Sequence, residues 1–361
     1  MTVTDRHETI GEAMRRNGIS RRTLMKYCGG IAASMALPAS VVPAMAERVL
    51  QSRRQSVIWF SCQECTGCVE SLTRSYSPTL ENMLFNMISL DYQEALMAAA
   101  GQQAMDAIHA AAKENEGQFI LVVDGSIPSG LNGAYSCVNG RTNLDELEEL
   151  GNMAGAIVAI GTCASYGGVG AAFPNPTGAK GTMSHLRDLG IRTPCINVPG
   201  CPPMPEVMTG VLTSFLTFGR LPEVDRHGRP VAFFGNTIHD RCYRRPFYEQ
   251  GKFAKSFDDA GARAGWCLFD LGCKGPTTNN ACATIKWNGG SYWPIQGGHG
   301  CIGCSEPNFW DKGSFYKALS APTVSNPGLI MGAAAAGAAV GVAAAAATRV
   351  NRNRLTKNKE D

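Results

Sequence analysis

Four cysteines follow short apolar segments that have the character of β-strands, and their thiols are the first candidates for chemistry. They are Cys65, Cys68, Cys163 and Cys201. Because the carboxyl ends of parallel strands share one edge of a sheet, we expect these thiols to converge there. Four convergent thiolates bind a metal or an iron–sulfur cluster. The spacing C-x2-C-x94-C-x37-C is too dispersed for a small zinc finger.

Two further groups lie in a cysteine-rich segment closer to the C-terminus. The second group consists of His239, Cys242, Cys267 and Cys273. A histidine that stands three residues before a cysteine in such a segment favours a metal ligand over an ordinary polar residue. The third group has only three thiols, which are those of Cys282, Cys301 and Cys304. Pro294 lies in the interval where a fourth ligand would stand, and three ligands suit a cluster that lacks one iron.

Disulfide bonds are the alternative use of so many cysteines, because proteins outside the cytoplasm commonly form them. The chain has 14 cysteines, and removal of an N-terminal signal would take Cys28 and leave an odd number. The two cysteines of each pair, Cys65/Cys68 and Cys301/Cys304, are also too close in the sequence for a disulfide bond between them to cross-link distant parts of the chain. These facts weaken the disulfide interpretation, and a disulfide-rich exported binding protein stays as the non-enzyme alternative.

An alternating pattern of strands and helices, from about residue 55 to 220, would position the first group. The apolar runs that predict strands are Ser56–Phe60, Asn86–Leu90, Phe119–Val123, Ala156–Ile160 and Ile196–Val198. Helical stretches such as Gln93–Lys113 and Leu144–Met153 lie between them. This alternation predicts an α/β domain with a parallel sheet. From about residue 225 to 325 the periodicity fades, and about a hundred residues with so little regular pattern need something else to order them.

The N-terminus has the features of a twin-arginine export signal. Residues 20–26 form the sequence Ser-Arg-Arg-Thr-Leu-Met-Lys, and an uncharged, mostly apolar stretch runs from Tyr27 to Val42. The pattern Ala44-Met45-Ala46 then precedes Glu47 as an A-x-A cleavage site. We therefore expect a signal over residues 1–46, with an ordinary amphipathic N-terminal helix as the alternative.

The C-terminus has the features of a membrane anchor. An uncharged run of 19 residues, 11 of them alanine, extends from Leu329 to Ala347. At about 1.5 Å per residue, a helix of this length just spans a hydrocarbon core of about 30 Å. The tail at residues 348–361 is basic, so the positive-inside rule places it in the cytoplasm and the body outside. An alanine-rich disordered tail is the alternative.

The charge of the body of the chain, residues 47–347, gives no reason to expect nucleic-acid binding. The chain carries a net charge of +3, but residues 1–46 and 348–361 hold 11 of its 33 basic and 5 of its 30 acidic residues. The body between them keeps 22 basic and 25 acidic residues and is therefore slightly acidic. A basic patch that could neutralise phosphates is not expected there.

Six ordered motifs together make the chain resemble the small subunit of nickel–iron hydrogenases over about residues 56–315. They are Glu64-Cys65-Thr66-Gly67-Cys68, Gly161-Thr162-Cys163, Pro199-Gly200-Cys201-Pro202-Pro203, Ile238-His239-Asp240-Arg241-Cys242, Leu271-Gly272-Cys273-Lys274-Gly275-Pro276 and Gly298-His299-Gly300-Cys301-Ile302-Gly303-Cys304-Ser305-Glu306. The resemblance implies a flavodoxin-like parallel-sheet domain at residues 47–222. An irregular, cysteine-rich iron–sulfur domain is then expected at residues 223–325, followed by the transmembrane helix at 329–347.

The resemblance also implies three clusters and their ligands. The first group matches the ligands of a proximal [4Fe-4S] cluster, and the second matches those of a distal [4Fe-4S] cluster with histidine as the unusual ligand. The third group matches a medial [3Fe-4S] cluster, with Pro294 at the position of the absent ligand. Three other cysteines, Cys62, Cys137 and Cys195, are interpreted as small buried hydrophobic residues.

Oxygen-tolerant members of the family carry two additional cysteines near the proximal cluster. Gly67 and Gly168 occupy those positions here, so we expect an ordinary cubane and an oxygen-sensitive enzyme. Cys62 is an extra cysteine near this cluster at a different position. Asp124 stands where the family usually has glutamate, and Glu70 is interpreted either as a neighbour of the cluster or as an acid at a helix N-terminus.

The function implied by the resemblance is that of a hydrogenase subunit, in which this chain conducts electrons and holds no catalytic residue. The large subunit would hold the nickel–iron centre and oxidise H2. Electrons would leave through the distal cluster to a membrane acceptor such as a b-type cytochrome or a quinone-linked protein. The complex would lie at the periplasmic face of the bilayer. A respiratory complex I subunit and a hydrogen-sensing regulatory small subunit are the alternatives, and both would lack the export signal.

Overall fold

A computed structural model describes residues 8–35 and 37–319 and is built around a five-stranded parallel β-sheet. The strands are β1 (Gln55–Ser61), β2 (Ile88–Gln93), β3 (Ile120–Asp124), β4 (Ala156–Ile160) and β5 (Cys195–Val198). Their order across the sheet is β2-β1-β3-β4-β5, and every neighbouring pair is parallel. This is the flavodoxin-like order of a doubly wound α/β fold, so the predicted parallel sheet is confirmed.

The strands form close to the predicted positions because their residues are apolar on both faces. Every residue of β3 and β4 is buried, as expected for a sheet covered on both sides. β2 begins later than predicted because Met83–Met87 forms a π-helical turn before it. The helix predicted to begin at Gln93 begins instead at Gln102, because β2 extends through Gln93 and Gly101 starts the helix.

Helices cover both faces of the sheet. They are α1 (Ile10–Arg16), α2 (Arg21–Ser34), α3 (Val42–Gln51), α4 (Gly67–Thr73), α5 (Gln102–Glu114), α6 (Asn143–Met153), α7 (Gly161–Tyr166), α8 (Thr182–Asp188) and α9 (Pro205–Phe218). Alternate residues of β1 point to opposite faces. Val57 and Trp59 therefore pack into the core formed with α9, whereas Ile58 packs into the core formed with α5 and α6. Two short antiparallel pairs, Ile127–Pro128 with Ala179–Lys180 and Cys137–Val138 with Arg141–Thr142, lie outside the main sheet.

Residues 219–319 contain only short helical segments. They are Val231–Phe234, His239–Arg241, Arg245–Glu249, Ala260–Arg263, Phe269–Leu271, Gly275–Thr277 and Phe309–Asp311. The remaining backbone in this stretch consists of turns, bends, loops and a few isolated β-bridges. This agrees with the loss of periodicity in the sequence after about residue 225.

The three N-terminal helices, α1 to α3, pack against one another and enclose Leu24, Cys28 and Met45 in a small core. The arginines of the predicted export signal, Arg21 and Arg22, are exposed in the first turn of α2, and the Ser20 side chain caps that helix. The predicted cleavage site lies within α3. The predicted transmembrane segment at 329–347 lies outside the described residues. Within the described part of the chain, no helix is both long enough and apolar enough to cross a bilayer.

Candidate metal centres

The four thiols of the first group lie together at the carboxyl edge of the sheet. Cys65 precedes α4, Cys68 lies in its first turn, Cys163 lies in α7 directly after β4, and Cys201 follows β5. The thiols of Cys163 and Cys65 are close enough to Cys68 and to Cys201 to interact electrostatically with both. The convergence that the strand pattern predicts is therefore present, and the role of these residues as ligands stays a prediction.

Two glycines make room for this group of thiols. A Cβ atom at Gly161 would lie 2.6 Å from the Sγ of Cys68, and one at Gly168 would lie 2.4 Å from the Sγ of Cys163. Both glycines have positive φ angles, 86° and 53°, which other residues adopt only with strain. The backbone thus leaves space around the sulfurs that a side chain would fill, which fits a bulky inorganic group bound among them.

The electrostatics of the first group favour a positively charged occupant. Burial raises the pKa of Cys68 well above its usual range, and the neighbours Asp124, Cys163 and Cys65 raise it further. Burial likewise raises the pKa of Cys201 to about 12, with Cys163 adding to the effect. Thiolates packed in this way are unstable without cations, and iron ions supply the charge that lets thiols bind as thiolates. The donor set therefore fits an iron–sulfur cluster.

Asp124 and Cys62 lie beside the first group. Asp124 ends β3, is 1% exposed and contacts the Cys68 thiol, and burial raises its pKa to about 7. The Cys62 thiol faces Asn143, Asp124 and Glu94, none of which is a predicted ligand. Burial is the main cause that raises the pKa of Cys62, and the carboxylates of Asp124 and Glu94 raise it further. Glu70, the other acid singled out in the sequence, is an exposed residue of α4 paired with Arg74.

The second group lines a single cavity. Its four predicted ligands, His239, Cys242, Cys267 and Cys273, all line this cavity together with apolar and aromatic side chains and with Arg244 and Arg245. The ring of His239 meets the ring of Tyr248 edge-on, with centroids 4.6 Å apart. Burial lowers the pKa of His239, which favours the neutral imidazole that binds metals. The types of side chain that line the cavity therefore fit the ligand set of a four-iron cluster.

The three thiols of the third group also lie near one another. The Cys304 thiol interacts electrostatically with those of Cys282 and Cys301, and burial raises the pKa of Cys282 to about 12. Cys301 and Cys304 come from one loop, whereas Cys282 comes from an earlier one. Pro294 is exposed in this structure. These three thiols could each bind one iron of a cluster.

The third group lies between the first and the second. On one side, the Thr162 hydroxyl donates to the Cys304 carbonyl and accepts from the backbone N–H of Gly200, which directly precedes Cys201. On the other side, the backbone N–H of Cys301 donates to the Sγ of Cys273 over 3.3 Å. Hydrogen bonds thus join the loops of the first group to those of the third, and the third to the second, so the three groups form a series.

Among residues 8–35 and 37–319, no three side chains of His, Cys, Asp or Glu lie close enough together to hold one metal ion. A four-iron cluster takes one protein ligand at each iron, so its ligands surround the cluster and stand apart from one another. All 14 cysteines lie in described segments and are free of disulfide bonds.

The structure corrects one interpretation and adds residues that the motifs alone did not single out. Cys137 is exposed, so it is not the buried hydrophobic residue that we expected. Thr162 is 1% exposed and joins the first and third groups by hydrogen bonds. Arg229 is buried between Asp225 and Glu306 and supports the loop of the third group. The only sequence signal for Thr162 was its place between Gly161 and Cys163.

Two protein-family models match separate parts of the chain. The family model for the C-terminal part of the NiFe/NiFeSe hydrogenase small subunit matches residues 234–317, which contain the second and third groups. The model for the 20 Kd subunit of NADH ubiquinone oxidoreductase matches residues 65–215, which contain the first group. The two matches together span all three groups.

Individual proteins match over most of the chain. The uptake hydrogenase small subunit of Azotobacter vinelandii is 48% identical over 315 residues, which cover 87% of each chain. The hydrogenase-1 small chain of Escherichia coli (strain K12) is 47% identical over 309 residues, covering 86% of this chain and 82% of that one. A reduced, active nickel–iron–selenium hydrogenase from Desulfomicrobium baculatum has a TM-score of 0.70 and 37% identity, covering 74% of this chain and 100% of that chain. The chain belongs to the family of nickel–iron hydrogenase small subunits.

Proposed function

We propose that this chain relays electrons from H2 oxidation through three iron–sulfur clusters to an acceptor at the membrane. As a small subunit of this family, it takes part in hydrogenase activity as one half of a heterodimer with a large subunit. By resemblance, the large subunit holds the nickel–iron centre and splits H2 into two protons and two electrons. Relatives named uptake hydrogenase small subunits support H2 uptake as the direction.

The ligand assignment follows the three groups. Cys65, Cys68, Cys163 and Cys201 would hold the proximal [4Fe-4S] cluster. His239, Cys242, Cys267 and Cys273 would hold the distal [4Fe-4S] cluster, and Cys282, Cys301 and Cys304 would hold the medial [3Fe-4S] cluster. When bound, such clusters accept and donate electrons one at a time, at potentials set by charge, burial and hydrogen bonds to sulfur.

The observation that carries the proposal is the serial contact between the groups. Thr162 joins the loop before Cys201 to the Cys304 carbonyl, and the Cys301 N–H donates to the Cys273 sulfur, so the third group is connected to both others. A chain that only stored iron, or that used one cluster for catalysis, would have no need for this order. The exposed position of Cys65 supports placing the large subunit against the first group.

The protein around each group controls charge and water. His239 contributes a neutral imidazole, so the distal site carries less negative charge than four thiolates would give it. The rings of Phe253 and Phe269 each meet the Tyr248 ring edge to face, and Tyr248 and Phe269 line this site. In the first group, glycine at positions 67 and 168 supports an ordinary cubane and oxygen-sensitive behaviour.

Export and membrane attachment are part of the same proposal. A twin-arginine signal at residues 1–46 would carry the folded, loaded complex to the periplasmic side, and residues 329–347 would anchor it. The uptake hydrogenases among its relatives are consistent with an exported enzyme. Insertion of the clusters before export would occupy the thiols before oxidants reach them.

The test is iron analysis and EPR spectroscopy of the purified heterodimer. We expect about 11 irons per small subunit, a three-iron signal when oxidised and four-iron signals after reduction. Cys163→Ser should remove the proximal signal and lower the iron content, whereas the matched control Cys137→Ser, an exposed cysteine outside the groups, should leave both unchanged. A protein with no iron and with paired thiols would contradict the proposal.

A further inference from the structure

Arg244 is a buried cation in the wall of the cavity that the second group lines. It is 6% exposed and lines the cavity together with the four predicted ligands of that group. Arginine is rarely buried in this way without a partner of opposite charge. Among residues 8–35 and 37–319, however, the Arg244 guanidinium forms no ion pair with a carboxylate. The structure therefore holds a buried positive charge whose partner is not a side chain of the described residues.

A second buried arginine shows what such burial normally requires. Arg229 is 3% exposed, and its guanidinium pairs with Asp225 and with Glu306, each over 2.8 Å. Taking a charge out of water is costly unless an opposite charge pairs with it. Arg244 is buried almost as deeply but has no such carboxylates, so its counter-charge has to come from the cavity that it lines.

Hydrogen bonds fix the Arg244 guanidinium between two loops. Its Nε donates to the Tyr243 hydroxyl over 2.8 Å, and its Nη1 donates to the Trp266 carbonyl over 2.7 Å. Trp266 directly precedes Cys267, and Arg244 follows Cys242 by two positions. The cation is therefore held between the loops that supply two of the predicted ligands, and it would have to break both bonds to leave this place.

The same guanidinium lies close to the sulfur atoms of the second group. It interacts electrostatically with the thiols of Cys242, Cys267 and Cys273. Arg245, the other arginine of the cavity wall, is exposed and pairs with Glu249 over 2.9 Å. Of these two arginines, the buried one brings the three thiols a positive charge that no described carboxylate compensates.

We propose that Arg244 is the built-in counter-charge of the second group and raises the reduction potential of the cluster bound there. The inference rests on the proposed function, because it needs the second group to hold the distal cluster. The loaded site gains negative charge when it accepts an electron, so a fixed positive charge in its wall stabilises the reduced form more than the oxidised form. Because the guanidinium is always charged, the effect does not depend on a titration. The exit site then accepts electrons from the third group more readily.

The experiment is a redox titration of the four-iron EPR signals of the purified heterodimer. The signal of the second group is identified as the four-iron signal that remains in Cys163→Ser. Arg244→Gln removes the charge but keeps an amide that can donate to the Trp266 carbonyl, whereas Arg244→Lys keeps the charge. Lys180→Gln is the matched control, because it removes one positive charge from an exposed pair with Asp188, outside the cavity.

We expect the midpoint potential of the second group to shift downward in Arg244→Gln and to stay close to the wild-type value in Arg244→Lys and Lys180→Gln. Equal potentials in wild type and Arg244→Gln would overturn the inference. Equal downward shifts in Arg244→Gln and Arg244→Lys would also overturn it, because hydrogen bonds and not charge would then set the potential.

A failure of cluster assembly is distinguished by a further variant. If Arg244→Gln assembled no distal cluster, Arg244→Met would be titrated in its place. Loss of the signal in both, with a normal signal in Arg244→Lys, would overturn the inference, because the charge would then serve assembly. Absence of four-iron signals from the wild type would instead contradict the proposed function.

Discussion

The backbone N–H of Cys301 donates to the Sγ of Cys273 over 3.3 Å, although 27 residues separate them in the chain. The contact is reinforced by the backbone N–H of Lys274, which donates to the Cys301 carbonyl over 2.7 Å. The loop that supplies the third group is thus joined to the loop that supplies the second. Gly300 lies at this junction, where a Cβ atom would come within 2.9 Å of the Cys273 Cα.

Replacement of Gly300 by alanine should push these two loops apart. The obstruction is backbone, which cannot rotate away, so we expect overpacking to cost about 1–3 kcal/mol of stability. Iron content should fall, since ligands of the medial and distal clusters are both displaced. Thermal unfolding and iron analysis of the heterodimer measure the two effects. Gly297→Ala is the control, because its Cβ atom would meet nothing closer than 3.4 Å; equal behaviour of the two variants would contradict the prediction.

Replacement of His239 by alanine should slow the exit of electrons but spare the activation of H2. His239 lines the cavity of the second group, so its loss alters a ligand position of the distal cluster and leaves the nickel–iron centre of the partner intact. We expect reduction of the physiological acceptor to fall by about ten-fold or more. Hydrogen isotope exchange, which needs no acceptor, should be unchanged. His299→Ala is the matched control, because the described structure places His299 outside that cavity, stacked on Phe257. Unchanged acceptor reduction in His239→Ala would count against its role as a ligand.

Replacement of Arg229 by methionine should destabilise the protein strongly. The Arg229 guanidinium pairs with Asp225 and with Glu306, each over 2.8 Å, and its side chain is 3% exposed. Removing it leaves two carboxylates without their shared cation, and breaking a buried ion pair costs about 3–5 kcal/mol. Urea denaturation of the heterodimer gives the change in the free energy of unfolding. Lys180→Met, which breaks an exposed pair with Asp188, should cost no more than about 1 kcal/mol.

The buried His185 should make stability depend on pH. Its Nε2 bonds to the Ile127 carbonyl over 2.8 Å, and burial lowers the pKa of its side chain in the folded protein. The unfolded chain therefore binds a proton more readily, and stability falls as the pH drops below about 6.5. His185→Gln lacks this titration, so its stability deficit relative to wild type should shrink from about pH 8 to about pH 5. A constant deficit, measured by thermal unfolding across that range, would refute the assignment.

Truncation after Pro327 should release active complex into the soluble periplasmic fraction. The deleted part contains the uncharged run from Leu329 to Ala347, which is long enough to cross a bilayer as a helix. Truncation after Ala347, which removes only the basic tail, should leave the complex attached to the membrane. Cell fractionation followed by a hydrogenase assay measures both outcomes. Continued attachment of the shorter protein would indicate another tether.

Several features of the fold were predictable because they depend on local patterns. The strand Ala156–Ile160 forms at the predicted residues, since a short apolar run flanked by turns is typical of a buried strand. The predicted helix from Gln93 was wrong at its start, because residues 94–100 are mostly helix-forming types but lie in a turn and loop after β2. Cys137 was also misjudged, because a cysteine in a short hairpin carries no signal of its exposure.

The sequence by itself determined the family, the parallel sheet and the membership of the three cysteine groups. Ligand spacing and strand periodicity are local properties, and the six motifs record them directly. The resemblance already implied that the third group is the medial one, whereas only the tertiary structure decided which contacts join the groups, because contacts such as that of the Cys301 N–H with the Cys273 sulfur form between separate loops. The same holds for Thr162, whose hydroxyl could have met solvent or its own helix. The packing of the α/β part against the irregular segment brings the Cys304 carbonyl to it.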